Sequence, residues 1–200
     1  MRSDKIEDNY KYEVYRKLFH LSSLWMVAAV WFLEKNTAIY LFAFLTIAVF
    51  AGEISRKYFK FSQKIYQCLF GHIVRDHEEK GGLSGAFFML LSALITTALF
   101  SKNIAMPALS VMLISDSAAA LIGRKFGKHK LFEKSIEGSI AFFLSAIIVI
   151  SLFFNFSDYF LAIAITSFLA TTTELFSKKL HLDDNLTIAL TTGAFLLYLT

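Results

Sequence analysis

One aspartate stands inside an apolar run, and a cluster of cations follows it closely. From Ser115 to Ser139 the chain reads SDSAAALIGRKFGKHKLFEKSIEGS, with five lysines and arginines and three glycines. Asp116 lies where a charge costs on the order of 2.5–3.5 kcal/mol to place in a bilayer. At about 1.5 Å rise per residue it sits roughly 12 Å from Arg124 along a helix, close enough to the membrane surface to meet a phosphate or a metal. The bland alternative is a structural pair with a lysine, or a packing patch with Ser115, Ser117 and Ala118 to Ala120. Gly123-Arg124-Lys125-Phe126-Gly127-Lys128-His129-Lys130 joins close backbone approach to positive charge, which suits phosphate. It is not a G-x-x-x-x-G-K-[ST] loop. Lys134-Ser135-Ile136-Glu137-Gly138-Ser139 then opens the next apolar run, and N–H groups at a helix start attract anions. Gly123, Arg124, Gly127, Lys128, Lys130, Lys134, Glu137 and Gly138 form the candidate phosphate-binding set.

Asp183-Asp184-Asn185 places two acids and an amide just before the last apolar run. That trio suits Mg²⁺, which takes few carboxylates plus substrate phosphates; it equally suits N-capping of the helix that follows. Glu174 is a further candidate acid. Glu13, Arg16, Lys17 and His20 fall at i, i+3, i+4 and i+7, so they share one helical face. Arg75-x-x-Glu78-Glu79-Lys80-Gly81-Gly82-Leu83-Ser84-Gly85 reads as a hinge or cap, or else as a substrate contact.

The elements that must position these groups are membrane helices. The chain of 200 residues is 56% hydrophobic and 18% charged, with 22 phenylalanines and one proline, a composition that does not suit a soluble enzyme. Its apolar runs are continuous rather than alternating, which argues against a β-barrel. We expect an all-α, polytopic membrane protein forming one domain over residues 1–200, with about seven spans at 18–33, 37–52, 83–100, 104–122, 138–155, 159–175 and 186–199. The first seventeen residues are charged and lack an apolar core, so no cleaved signal peptide is expected. Cys68, the single cysteine, excludes an internal disulfide and reads as a packing residue.

With seven spans, all the basic residues except Lys35 and Lys102 fall on one side. The positive-inside rule then makes the N-terminus and the long loops cytoplasmic, in the cell (inner) membrane. Between Ile54 and Val74, apolar residues at 54, 58, 61, 65 and 69 oppose Arg56, Lys57, Lys60 and Lys64. That pattern predicts an amphipathic helix in the cytoplasmic interface.

These pieces resemble the CTP-dependent lipid kinases (dolichol kinase, phytol kinase and the yeast-type diacylglycerol kinase), which share a membrane domain with CDP-diacylglycerol synthase. The matching residues are Arg16-Lys17-Leu18-Phe19-His20, Gly52-Glu53 with Arg56, Glu78 to Gly85, Asp116 to Gly138, and Glu174 followed by Asp183-Asp184-Asn185. Two positions depart: Ser115 stands where the family often has Gly, and Ala189 where it often has Pro. The resemblance implies transfer of the γ-phosphoryl of CTP to the hydroxyl of a prenol or diacylglycerol. It implies Mg²⁺ on Asp116 with Asp183, Asp184 and Asn185, and phosphates on the lysines and glycines after Asp116. Arg16 and Lys17 would add charge near the transferred group, and Glu174, an aspartate or His20 would take the alcohol proton. The runner-up is a cytidylyltransferase making CDP-lipid from phosphatidate; the tail, which lacks that family's Pro-Gly-His-Gly-Gly signature, favours the kinase. A transporter or scaffold is the non-enzymatic alternative. Expected partners are a lipid substrate, a nucleoside triphosphate and the bilayer, with no nucleic acid, and the chain leaves room for a homodimer.

Overall fold

Helices account for most of the described residues, and one continuous helical stretch forms the axis on which others pack. The computed structural model describes residues 2–59, 82–177, 179 and 182–200. The helices are α1 (Arg2–Ser22), α2 (Trp25–Phe32), α3 (Lys35–Tyr58), α4 (Gly85–Leu99), α5 (Lys102–Ser110), α6 (Asp116–Phe126), α7 (Ile136–Ser151), α8 (Phe156–Ser177) and α9 (Asp184–Leu199). A wide π-helical turn, Val111–Ser115, joins α5 to α6 into one continuous axis. Among the described residues, three helical stretches are long and apolar enough to cross a membrane: Lys35–Arg56, Lys102–Phe126 and Phe156–Ser177. Gly85–Leu99 and Ile136–Ser151 are shorter apolar helices.

The expected first span is not one helix. α1 runs from Arg2 to Ser22, the chain turns at Ser23 and Leu24, and only α2 continues the apolar run. The 54–74 segment differs too. Ile54 to Tyr58 continue α3 rather than starting a separate helix, and residues 60–81 lie outside the described residues, as does Cys68. The expected loop between α6 and α7 contains a small antiparallel hairpin, β1 (Lys130–Leu131) with β2 (Lys134–Ser135), in register Lys130 to Ser135.

The axis is apolar on all sides because it is enclosed. Ile104 to Leu113 are buried in an unbroken run. α6 packs on α7 and α1, α8 on α9 and α7, and α4 on α3 and α9. The α6–α7 crossing needs glycine at position 138. A Cβ on Gly138 would lie 2.9 Å from the carbonyl oxygen of Ala119 and 3.2 Å from the Cα of Gly123, tighter than real contacts allow.

The two basic residues at the other end of the bundle also have partners. Lys35 Nζ donates to the carbonyl of Phe100 at 3.0 Å, and Lys102 Nζ to that of Leu33 at 3.4 Å. Each ammonium satisfies a carbonyl at the C-terminal end of a helix, where the dipole also favours a cation.

Candidate active site

Five separated segments converge at one end of the bundle around a cavity of about 630 Å³. That volume lies within the range that binds small molecules. α1 contributes Tyr12, Glu13 and Arg16, and the axis contributes Asp116, Gly123 and Arg124. The hairpin and the start of α7 contribute Lys130, Glu133, Lys134, Ser135 and Gly138, and Glu174 and Asp184 close the far wall.

The wall of the cavity is built from ion pairs. Asp116, at the first turn of α6, is bonded by the ammonium of Lys17, which is itself fully buried. His20 Nε2 lies 3.6 Å from the same carboxylate oxygen and 3.4 Å from the carbonyl of Met112 in the π turn. His20 and Lys17 therefore sit behind the cavity and hold Asp116 from outside it. One turn earlier on α1, the buried Glu13 carboxylate joins two arginines. Arg16 donates to it through Nε at 3.2 Å and through Nη2, and Arg124 Nε approaches Oε2 at 3.2 Å. Burial alone would raise the Glu13 pKa, but the Arg16 bond and the charges around it hold it below the usual 4.5.

Across the cavity Lys134 reaches three oxygens. Its Nζ donates to the Glu174 carbonyl at 2.6 Å, to Glu174 Oε1, and to Asp184 Oδ2 at 3.2 Å. Burial would lower the Lys134 pKa, but Asp184 and Glu174 outweigh it and push it up. The other Glu174 oxygen, Oε2, is buried with no hydrogen-bond partner among the described residues. Ser177 Oγ donates to the Asp184 carboxylate and lies 2.9 Å from the Glu174 carbonyl, so the end of α8 and the start of α9 are tied together.

Of the candidate residues named from sequence, Arg16, Asp116, Glu174, Gly123, Arg124, Gly127, Lys130, Lys134, Gly138 and Asp184 line this cavity. The others are placed differently. Asp183 is the N-cap of α9, its Oδ1 accepting from the Asn185 N–H at 2.9 Å, and the Asn185 carbonyl accepts from Ser92 Oγ at 3.0 Å. Glu137 folds back on the turn before the hairpin. Its Oε1 accepts from the N–H groups of Lys128 and His129 at 3.1 and 3.2 Å and lies 2.9 Å from His129 Nδ1. These bonds, with its own N–H, draw the Glu137 pKa down. The backbone N–H groups expected to cradle phosphate are thus engaged within the chain. Gly127 N–H donates to the Gly123 carbonyl at 3.1 Å, and Gly138 N–H to Ser135 Oγ at 3.1 Å. The cavity meets a ligand chiefly through side chains.

Glu53 and Arg56, part of the resemblance, lie away from the cavity. Arg56 Nη2 bonds Glu53 and the Gly82 carbonyl at 2.7 Å, and Ser84 N–H donates to Glu53 Oε1 at 3.3 Å. The pair fixes residues 82–84 at the start of α4. Tyr12, Glu133, Ser135 and Ser139 line the cavity without having been singled out as site residues. For Tyr12 the signal was adjacency to the Glu13–His20 face. For Glu133 nothing in the spacing distinguishes it from a solvated loop acid.

An all-α bundle with helices apolar enough to cross a membrane and a polar cavity at one end is the class that this fold defines. The chain is 34% identical over 192 residues to "Uncharacterized protein RP860" of Rickettsia prowazekii, with 93% of each chain covered. It is 30% identical over 177 residues to "Uncharacterized protein MJ1137" of Methanocaldococcus jannaschii, with 87% of each covered. It belongs to the family these two proteins share. It is also similar to "CTP-dependent diacylglycerol kinase 1" of Saccharomyces cerevisiae, at 27% identity over 152 residues, 73% of this chain and 52% of the kinase. The Schizosaccharomyces pombe protein of the same name is 30% identical over 106 residues, 50% of this chain and 47% of the kinase. The chain spans about half the length of these kinases, and the similarity supports the CTP-dependent lipid kinase family. No family model and no solved structure matches the chain.

Proposed function

We propose that this chain is an integral-membrane, CTP-dependent lipid kinase that phosphorylates the hydroxyl of a prenol or a diacylglycerol. The observation that carries the reading is the convergence of Arg16, Asp116, Lys134, Glu174 and Asp184 on one cavity from distant parts of the chain. The named kinases to which the chain is similar supply the nucleotide and the lipid class.

Phosphoryl transfer needs positioning and charge neutralisation more than covalent chemistry. Four cations line the cavity (Arg16, Arg124, Lys130, Lys134), but five carboxylates do as well. A triphosphate entering it needs further positive charge, which favours a divalent cation carried with the nucleotide. No group of three or more His, Cys, Asp or Glu side chains among the described residues is arranged to enclose a metal. The donor set still fits Mg²⁺, which binds through one or two carboxylates and completes its shell with phosphate and water. Asp116 and Asp184 would hold it, and when bound it neutralises phosphate charge. Asp183 and Asn185, engaged at the start of α9, serve that site by fixing Asp184.

Arg16, Arg124 and Lys130 draw in the phosphates. The lipid hydroxyl oxygen bonds to the γ-phosphorus, the bond from that phosphorus to the bridging oxygen of CDP breaks, and CDP leaves. Glu174, with Oε2 buried and unpartnered, is the carboxylate best placed to take the alcohol proton. His20 is held behind Asp116 and serves orientation instead. Exposed side chains such as Phe44, Ile47, Leu144, Ile148, Leu161 and Phe168 suit contact with acyl chains around the bundle. The seven-span topology, with the cavity on the cytoplasmic side, follows from the one-sided charge distribution.

The test is product analysis. Purified protein in detergent is incubated with γ-labelled CTP, Mg²⁺ and a panel of prenols and diacylglycerol. Label in a lipid phosphate, with CDP released, is the expected result. Pyrophosphate with CDP-lipid sinks the reading in favour of a cytidylyltransferase.

A further inference from the structure

Glu13 is fully buried, yet it borders the cavity and has no role in the transfer step above. At its carboxylate α1 and α6 present cations to a common anion. Oε1 takes Arg16 Nη2, while Oε2 takes both Arg16 Nε and Arg124 Nε, each at 3.2 Å. Two guanidinium groups on neighbouring helices repel each other, and their long side chains have many rotamers. A single carboxylate between them removes the repulsion and fixes both planes. Each guanidinium has five N–H donors, and Glu13 engages those on one edge. Arg124 lies towards the mouth of the cavity and Arg16 deeper, so the fixed pair spans its wall.

We propose that Glu13 is the positioning residue of a two-arginine polyphosphate clamp, holding Arg16 and Arg124 for the phosphate chain of the nucleotide. This rests on the reading of the cavity as a nucleotide site. Glu13 touches neither the phosphates nor the reacting hydroxyl. Its effect is to present two forks at fixed separation across the α1–α6 contact.

The ligand for the test is inorganic tripolyphosphate, titrated into the detergent-solubilised full chain by calorimetry, with CTP and lipid kinetics run alongside. The expected result for Glu13→Gln is a loss of about tenfold or more in tripolyphosphate affinity, the size expected for hydrogen bonds to charged groups. The KM for CTP should rise in step while the KM for lipid stays within about twofold. A purely structural role would lower active protein without this split. The loss in the double variant Glu13→Gln/Arg124→Gln should be smaller than the sum of the two single losses, because part of the Glu13 effect acts through Arg124. Additive losses, or unchanged tripolyphosphate affinity in Glu13→Gln, overturn the proposal. If Glu13→Gln does not fold, Glu13→Asp keeps the charge one methylene short. A raised CTP KM with lipid KM unmoved then supports the clamp, and an unmoved CTP KM overturns it. Wild-type chain that binds tripolyphosphate but phosphorylates no lipid sinks the kinase reading and leaves the clamp standing.

Discussion

Lys17 on α1 and Asp116 on α6 stand 99 residues apart in sequence and form one buried ion pair. His20 approaches the same carboxylate from the next turn of α1. The pair neutralises an acid within the enclosed axis, at the start of α6, and directs it toward the cavity. Structural and functional demands therefore meet in one contact, and substitution can separate them.

Removing one partner of a buried pair costs about 3–5 kcal/mol, because the other charge remains without compensation. Lys17→Met should destabilise the protein by about that amount. Replacing both, as Lys17→Met/Asp116→Leu, should restore most of the stability and none of the activity. Thermal unfolding in detergent and the lipid phosphorylation assay read the two effects separately. A double variant that recovers both would mean that Asp116 is only a structural acid.

The α6–α7 crossing predicts a contrast between two glycines. A Cβ on Gly138 meets backbone at 2.9 Å, so the helices must part. Overpacking of this kind costs about 1–3 kcal/mol. Gly138→Ala should lower stability and also weaken CTP binding, because Gly138 lines the cavity. On α9, a Cβ on Gly193 would lie 2.4 Å from the Phe100 ring, and Gly193 does not line the cavity. Gly193→Ala should lower the melting temperature and leave the KM for CTP within about twofold.

Glu13 predicts a pH dependence with a defined sign. Its folded-state pKa lies below the ordinary 4.5. A depressed carboxylate contributes stability that is fully present above the unfolded value and is lost as pH falls through the folded one. The melting-temperature difference between wild type and Glu13→Gln should thus be constant above about pH 5.5 and shrink as pH falls below about 4.5. A difference that grows on acidification would contradict the assignment.

Glu53→Ala should release the start of α4. The substitution leaves Arg56 buried without its carboxylate and frees the Ser84 N–H. Loss of about 3 kcal/mol is expected, by the same reasoning as for Lys17. Limited proteolysis should show faster cleavage near residues 82–84, with cleavage in the α8–α9 connection unchanged.

Much of the helical pattern was legible because membrane helices carry a plain signal: long apolar runs, bounded by charge. The break at Ser23 and Leu24 was not, since apolar residues continue through it and no Gly or Pro marks the turn. The hairpin was hidden for the opposite reason. Two-residue strands leave no alternation to read, and Phe132 holds a positive φ of 58° at the turn without being glycine. At the site, Asp116 was legible because a charge in an apolar run has few bland explanations. Asp183 and Glu137 were harder to place, because a residue type that suits a metal or phosphate site also suits an N-cap or a turn. Only coordinates show that Asp183 caps α9 and that Glu137 closes the turn at Lys128 and His129.

The π turn at Val111–Ser115 makes the length of the axis part of its chemistry. A regular helix turns about 100° per residue. Winding the same residues as regular helix, with none removed, would swing Asp116 by about that angle, away from Lys17 and the cavity. No side chain of the site would have changed. Across relatives, this stretch should therefore accept a one-residue deletion only where the wide turn becomes regular helix, and should keep the wide turn wherever its length is kept.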